Sequence, residues 1–177
     1  MAKIVNLESY RSKVLAQKVF GAWNQRFKEE FHAETILSEI SDKTLLFLAR
    51  PGDESAFAFY EIIMGALDFG SASHFYYLDK GEQLMVVDVH LFMADQVRFE
   101  LMWRLGWLKD YFCRTIPLLE LIQSAQTLKS RARGNPPRLA ADHPGYGEYQ
   151  DLITPDKEAF VRRLLPQALE AFQAHLS

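Results

Sequence analysis

The chain has 177 residues, 49% of them hydrophobic and 13% aromatic. That is enough to fill one core, which excludes disorder as the default and leaves no room for two ordinary domains. The formal charge of −3 gives no electrostatic reason to expect nucleic acid or an anionic membrane as a partner.

The charge is unevenly placed. From Met1 to Lys28 six cations (Lys3, Arg11, Lys13, Lys18, Arg26 and Lys28) stand against Glu8 alone, so the remainder of the chain is acidic. Such a helix face suits solvent or an anionic partner. Ser9 to Ile40 holds good helix formers and no proline, and Phe20, Trp23, Phe27 and Phe31 recur at spacings of three and four. That spacing predicts one aromatic helix face, with Gly21 as a weak point.

A short apolar helix follows, N-capped by Ser41 and ended by the Pro-Gly pair at 51–52. Asp53 is the expected cap of the next helix, Glu54 to Phe69, which closes near Gly70. Asp79 and Glu82 have the spacing of a capping box ahead of an apolar run, Leu84 to Leu108. Pro117 opens a helix carrying Leu118, Leu121, Ile122, Ala125 and Leu128 on one side. Residues 134–155 hold four of the seven prolines and three of the nine glycines, and read as a loop. Thr154-Pro155 starts a last helix, with Phe160, Leu164, Ala168 and Phe172 inward and a bend at Pro166.

The expected fold is therefore all-α: a single-domain bundle of about six helices over 1–177, built around a central apolar helix. The alternative is α+β, with a hairpin near 74–92, because "LMVVDVHLF" is rich in β-branched residues and alternates tolerably.

As a helix, the run from Leu84 has two apolar faces separated by polar seams, the pattern of a helix packed on two sides. Asp95 with Arg98, and Glu100 with Arg104, are spaced to pair. Asp88 and His90 have no such partner. Asp88 must reach solvent or another helix, since an unpaired buried carboxylate is costly. On a strand the two side chains would share a face and a metal; on a helix they diverge by about 160°.

Glu54, Ala58, Glu61, Gly65 and Asp68 line one edge of their helix. The carboxylates beside small residues leave space for a ligand, a cation or a closely packed helix. Glu61, Asp68, Asp88 and His90 are thus the candidate ligand-binding residues. Glu29 and His32 have E-x-x-H spacing, which with Glu61 makes a weak case for a metal; no second E-x-x-H exists to complete a di-metal helical centre.

Cys113 stands alone, so no internal disulfide or cysteine cluster forms, as suits a reducing, cytoplasmic setting. No apolar run of signal-peptide type opens the sequence, and no phosphate loop, nucleophile elbow or other cofactor fingerprint is present. His143 lies in the loop without a partner motif, and Lys129, Arg131, Arg133 and Arg138 cluster around a helix end.

Two functions fit. The first is a non-catalytic helical interaction or regulatory module, binding a protein partner or itself through surplus aromatics such as Phe99, Trp103, Trp107 and Tyr111, with neither nucleic acid nor membrane involved. The second is a small metal-dependent hydrolase or ligand-binding protein using the carboxylate/His pocket.

Overall fold

The computed structural model describes residues 6–177. Lys3, one of the N-terminal cations, lies outside the described residues.

Helix α1 (Leu7–Phe27) begins where Asn6 accepts hydrogen bonds from the Glu8 and Ser9 amides, and ends at Lys28 in the left-handed conformation. The aromatic face is real, but the helix stops before Phe31, which packs back onto Phe20 and Trp23 from the following loop. Gly21 does not break α1. After a 3₁₀ turn (Leu37–Glu39), α2 (Asp42–Ala49) is capped by Ser41, whose hydroxyl accepts from the Thr44 amide.

Helix α3 (Asp53–Ala66) has Gly52, not Asp53, at its cap position. The Ser55 hydroxyl instead bonds the Arg50 and Gly52 carbonyls and ties the turn together. The helix ends sooner than expected: Asp68 lies beyond it with φ 61°. A 3₁₀ segment (Ala72–Tyr77) leads into α4 (Lys80–Arg104), where both hydrogen bonds of the Asp79/Glu82 capping box form. The hairpin near 74–92 is therefore excluded. Helical capping and the unbroken run to Arg104 outweigh the β-branched residues, whose strand preference depends on neighbouring strands that are not there.

Gly106, with φ 79°, turns the chain into β1 (Leu108–Asp110). This strand pairs antiparallel with β2 (Arg138–Leu139), inside the segment expected to be loop, and Leu108 lies opposite Leu139. The helix predicted after Pro117 is two, α5 (Leu118–Gln123) and α6 (Ala125–Ala132). The loop also holds one short helix, α7 (Tyr146–Gln150), before α8 (Thr154–Arg163) and α9 (Leu165–Leu176). The break between α8 and α9 has a clear cause: Pro166 has no N–H to donate to the carbonyl four residues back. Two splits and one added helix account for the difference from six.

Helix α4 is the centre of the bundle, packed against α2, α3, α5, α6, α9 and β1. From Phe92 to Met102 nearly every residue is buried, whereas Leu84, Met85, Asp88 and Leu91 near its start are exposed. It is two-sided only in its second half. One continuous apolar core runs from Val19 to Phe172. Among the described residues no helix is long and apolar enough to cross a membrane.

Candidate functional site

The acidic edge of α3 faces α1. Glu61 is ion-paired with Arg26, and Asp68 with Lys18. In the same seam the Trp23 indole donates to the Ala58 carbonyl at 2.7 Å. Gly65 lets the α1 backbone come close: a Cβ there would stand 3.2 Å from the Lys18 carbonyl oxygen and 3.3 Å from the Val19 Cα. The space left by the small residues is filled by a helix, and the carboxylates meet that helix's cations. Lys18 draws the fully exposed Asp68 carboxyl below its ordinary value, by hydrogen bond first and charge second.

Asp88 is exposed, and near it lie Lys129 and Arg133 across a shallow groove between α4 and α6. His90 is half-buried between Phe59 and Tyr60, with ring centroids 5.2 and 5.5 Å away. Burial, and then the charge of Arg98, lower its pKa, which favours the neutral ring there. The structure therefore divides the four candidate residues between the α1–α3 seam, the α3–α4 seam and the open surface, as the 160° divergence of Asp88 and His90 requires.

Glu29 is consumed locally. It accepts from the Ser41 amide at 2.9 Å, from the Ser41 hydroxyl at 3.0 Å and from the Thr44 hydroxyl, holding the start of α2. His32 is exposed and off the helix, so the E-x-x-H spacing does not translate into one face. Among the described residues no three His, Cys, Asp or Glu side chains come together as a metal-holding group.

The polar residues of α4 are mostly paired, though not all as expected. Asp95 meets Arg162 of α8 at 2.7 Å, while Arg98 donates to the Ala49 carbonyl of α2 at 3.2 Å. Glu100 is the surprise: it is fully buried. Its Oε2 accepts from the Tyr111 hydroxyl at 3.0 Å. Its Oε1 lies 3.5 Å from the Arg104 Nε without hydrogen-bond geometry, the one buried side-chain polar atom left unsatisfied among the described residues. Burial raises the Glu100 pKa against the opposing pull of Arg104 and Tyr111. Arg104 is also held by Asp42 and the Leu37 carbonyl, so the cluster ties α4 to α2, the first 3₁₀ turn and the end of β1. Cys113 is wholly buried and its thiol is pushed up to about 12 by burial, the environment of a packed thiol rather than an activated one.

The aromatics expected to form an interface go inward. Phe99 and Tyr111 are buried, and Trp103 and Trp107 are packed against the core. The apolar residues left on the surface are others. Asn6 to Val14, the first two turns of α1, are exposed throughout, and on them Leu7, Tyr10 and Val14 are 64%, 59% and 50% exposed. Their i, i+3, i+7 spacing makes one stripe, with Arg11 and Lys13 beside it. Also exposed are Tyr76 and Tyr77 ahead of α4, and Leu84, Met85 and Leu91 on it, near Asp88, which has no ion-pair partner within 4 Å among the described residues. Sequence reasoning missed both groups, because α1 reads as one amphipathic helix and nothing local says that its aromatic face alone meets the core. The charge imbalance of the N-terminal segment was the available signal. Comparison with family models, with curated proteins and with solved structures gives no match.

Proposed function

We propose that this chain is a non-catalytic helical interaction module, and that it binds a second copy of itself through α1. One observation carries the reading: the first two turns of α1 stand clear of the core with three large apolar side chains in line. Contiguous apolar surface of this kind on a folded domain marks an interaction site. A second copy supplies a matching apolar surface: the α1 stripe of one copy and the exposed Leu84, Met85 and Leu91 at the start of α4 of another can cover each other.

The test is the mass in solution by light scattering from about 1 to about 100 μM, a span set by the micromolar affinity of modest interfaces. The expected result is a concentration-dependent dimer or larger assembly. Leu7→Ser combined with Val14→Ser should return it to monomer, and Leu84→Ser combined with Leu91→Ser, at exposed positions of α4, should weaken it. A strict monomer across that range overturns self-association.

A further inference from the structure

Away from α1, the strand pair, the turn at 134–136 and helices α7 and α8 enclose a cleft of about 670 Å³. That is within the range of about 300–1,000 Å³ in which small-molecule sites fall. Four cations line it, Lys109, Arg114, Arg138 and Lys157, against a single acid, Asp110. They come from three separate parts of the chain: β1 and the turn after it, β2, and α8. In a protein of net charge −3, this local excess is not a consequence of composition.

The cleft is built by identifiable local features. Leu108 and Leu139 are buried opposite each other and pin the ladder, while the register is irregular between Leu108 and Asp110. A regular strand would turn alternate residues inward; here Lys109 and Asp110 are both exposed, the re-aiming that a bulge produces. Asp110 is already occupied, accepting from the Tyr111 amide at 2.9 Å and lying 3.7 Å from the Arg114 Nε. Tyr111 is itself fixed by Glu100, and Tyr149 by its hydroxyl bond to the Pro137 carbonyl.

Two of the cations rest on rings. The Arg114 guanidinium carbon is 4.4 Å from the Trp103 ring centre and the Lys157 ammonium 5.2 Å from that of Tyr149. Such contacts orient a cation without neutralising it. Lys109, Arg138 and Lys157 have no ion-pair partner among the described residues.

We propose that this cleft binds a small, multiply charged phosphate ligand. Four convergent cations with one engaged acid match a ligand of more than one negative charge, and Arg and Lys donors are the usual phosphate partners. The small volume, and the acidic character of the rest of the chain, favour a small molecule over a nucleic acid strand. Phe112 and Tyr146, half-buried at the cleft wall, offer faces for a ring attached to the phosphates. The same phosphate chemistry is available from bare pyrophosphate or from a nucleotide, and the experiment separates the two.

Equilibrium dialysis of the full chain against labelled pyrophosphate and labelled ATP at low ionic strength tests the site. Saturable one-to-one binding is expected below about 1 mM. It should weaken about tenfold or more in Arg138→Glu and in Lys109→Glu, since each reverses a charge that donates to phosphate. Arg133→Glu, on a different groove, should leave it unchanged, and circular dichroism confirms that each variant is folded. Tighter ATP binding that Tyr146→Ala reduces to the level of pyrophosphate identifies a ring-bearing phosphate. Equal binding of the two probes identifies bare phosphate groups as the ligand. Binding of neither probe overturns the proposal, as does binding that survives both charge reversals. Substitutions at Leu7 and Val14 leave this readout untouched, so its outcome is independent of self-association.

Discussion

Glu100 is the residue whose environment departs furthest from what its neighbours in sequence suggest. It is 0% exposed, with one oxygen bonded to Tyr111 and the other unsatisfied. Its pKa is raised above the ordinary 4.5, chiefly by burial. A carboxyl with a raised folded-state pKa binds its proton more tightly in the native chain than in the unfolded one. Its contribution is therefore fully present below pH 4.5 and is lost as the pH rises through the raised value. Glu100→Gln keeps a side chain able to accept from Tyr111 and removes the titration. The melting temperature of the variant relative to wild type should accordingly climb as the pH is raised from about 4 to about 7. A difference that is flat over that interval would show that Glu100 titrates normally. Glu100→Ala is another matter, because it leaves the buried Tyr111 hydroxyl without its acceptor while Arg104 keeps Asp42 and the Leu37 carbonyl, and a loss of about 1–3 kcal/mol is expected.

Among the elements, the α1–α3 contact shows how small residues define a surface. Ala58 and Gly65 were legible in the sequence as a stripe beside three carboxylates, and the choice among ligand, cation and helix stayed open. The structure supplies the helix, through Trp23, Arg26 and Lys18. Gly65→Ala would press a methyl group against backbone atoms of α1 that have no rotamer to yield, so a destabilisation of about 1–3 kcal/mol is expected by chemical denaturation. Gly21→Ala on α1 is the contrast. Nothing lies within 4 Å of its added carbon, and the gain in helix propensity should stabilise by up to about 1 kcal/mol. Equal effects of the two substitutions would mean that α1 and α3 are not so close.

Over the whole molecule, the apolar core is one cluster that includes residues of every α-helix from α1 to α9 and of both strands. That continuity predicts a single cooperative unfolding transition, coincident by far-ultraviolet circular dichroism and by tryptophan fluorescence. The fluorescence probes are well separated, Trp23 on α1 and Trp103 and Trp107 at the far end of α4 and beyond. Two resolved transitions would show that the chain holds two folding units.

What the sequence by itself determined was local. Ser41, the Asp79/Glu82 box, Pro155, Pro166 and the i, i+3, i+4 runs act within about one helical turn, and so the helices and most of their inward faces could be read directly. The Glu100–Arg104 pair was legible for the same reason. Only the tertiary structure decided which carboxylates were spent. The partner of Glu61 lies 35 residues away and that of Asp95 lies 67 residues away, and no spacing rule links residues so distant. It also decided that Phe99 and Tyr111 go inward while Tyr10 and Tyr77 stay out, because burial depends on which faces the other helices leave uncovered. The cationic cleft is the clearest case. Lys109 and Arg138 meet only because a strand of three residues finds one of two across a connection of 27 residues, and such a pairing leaves no periodic trace in either segment.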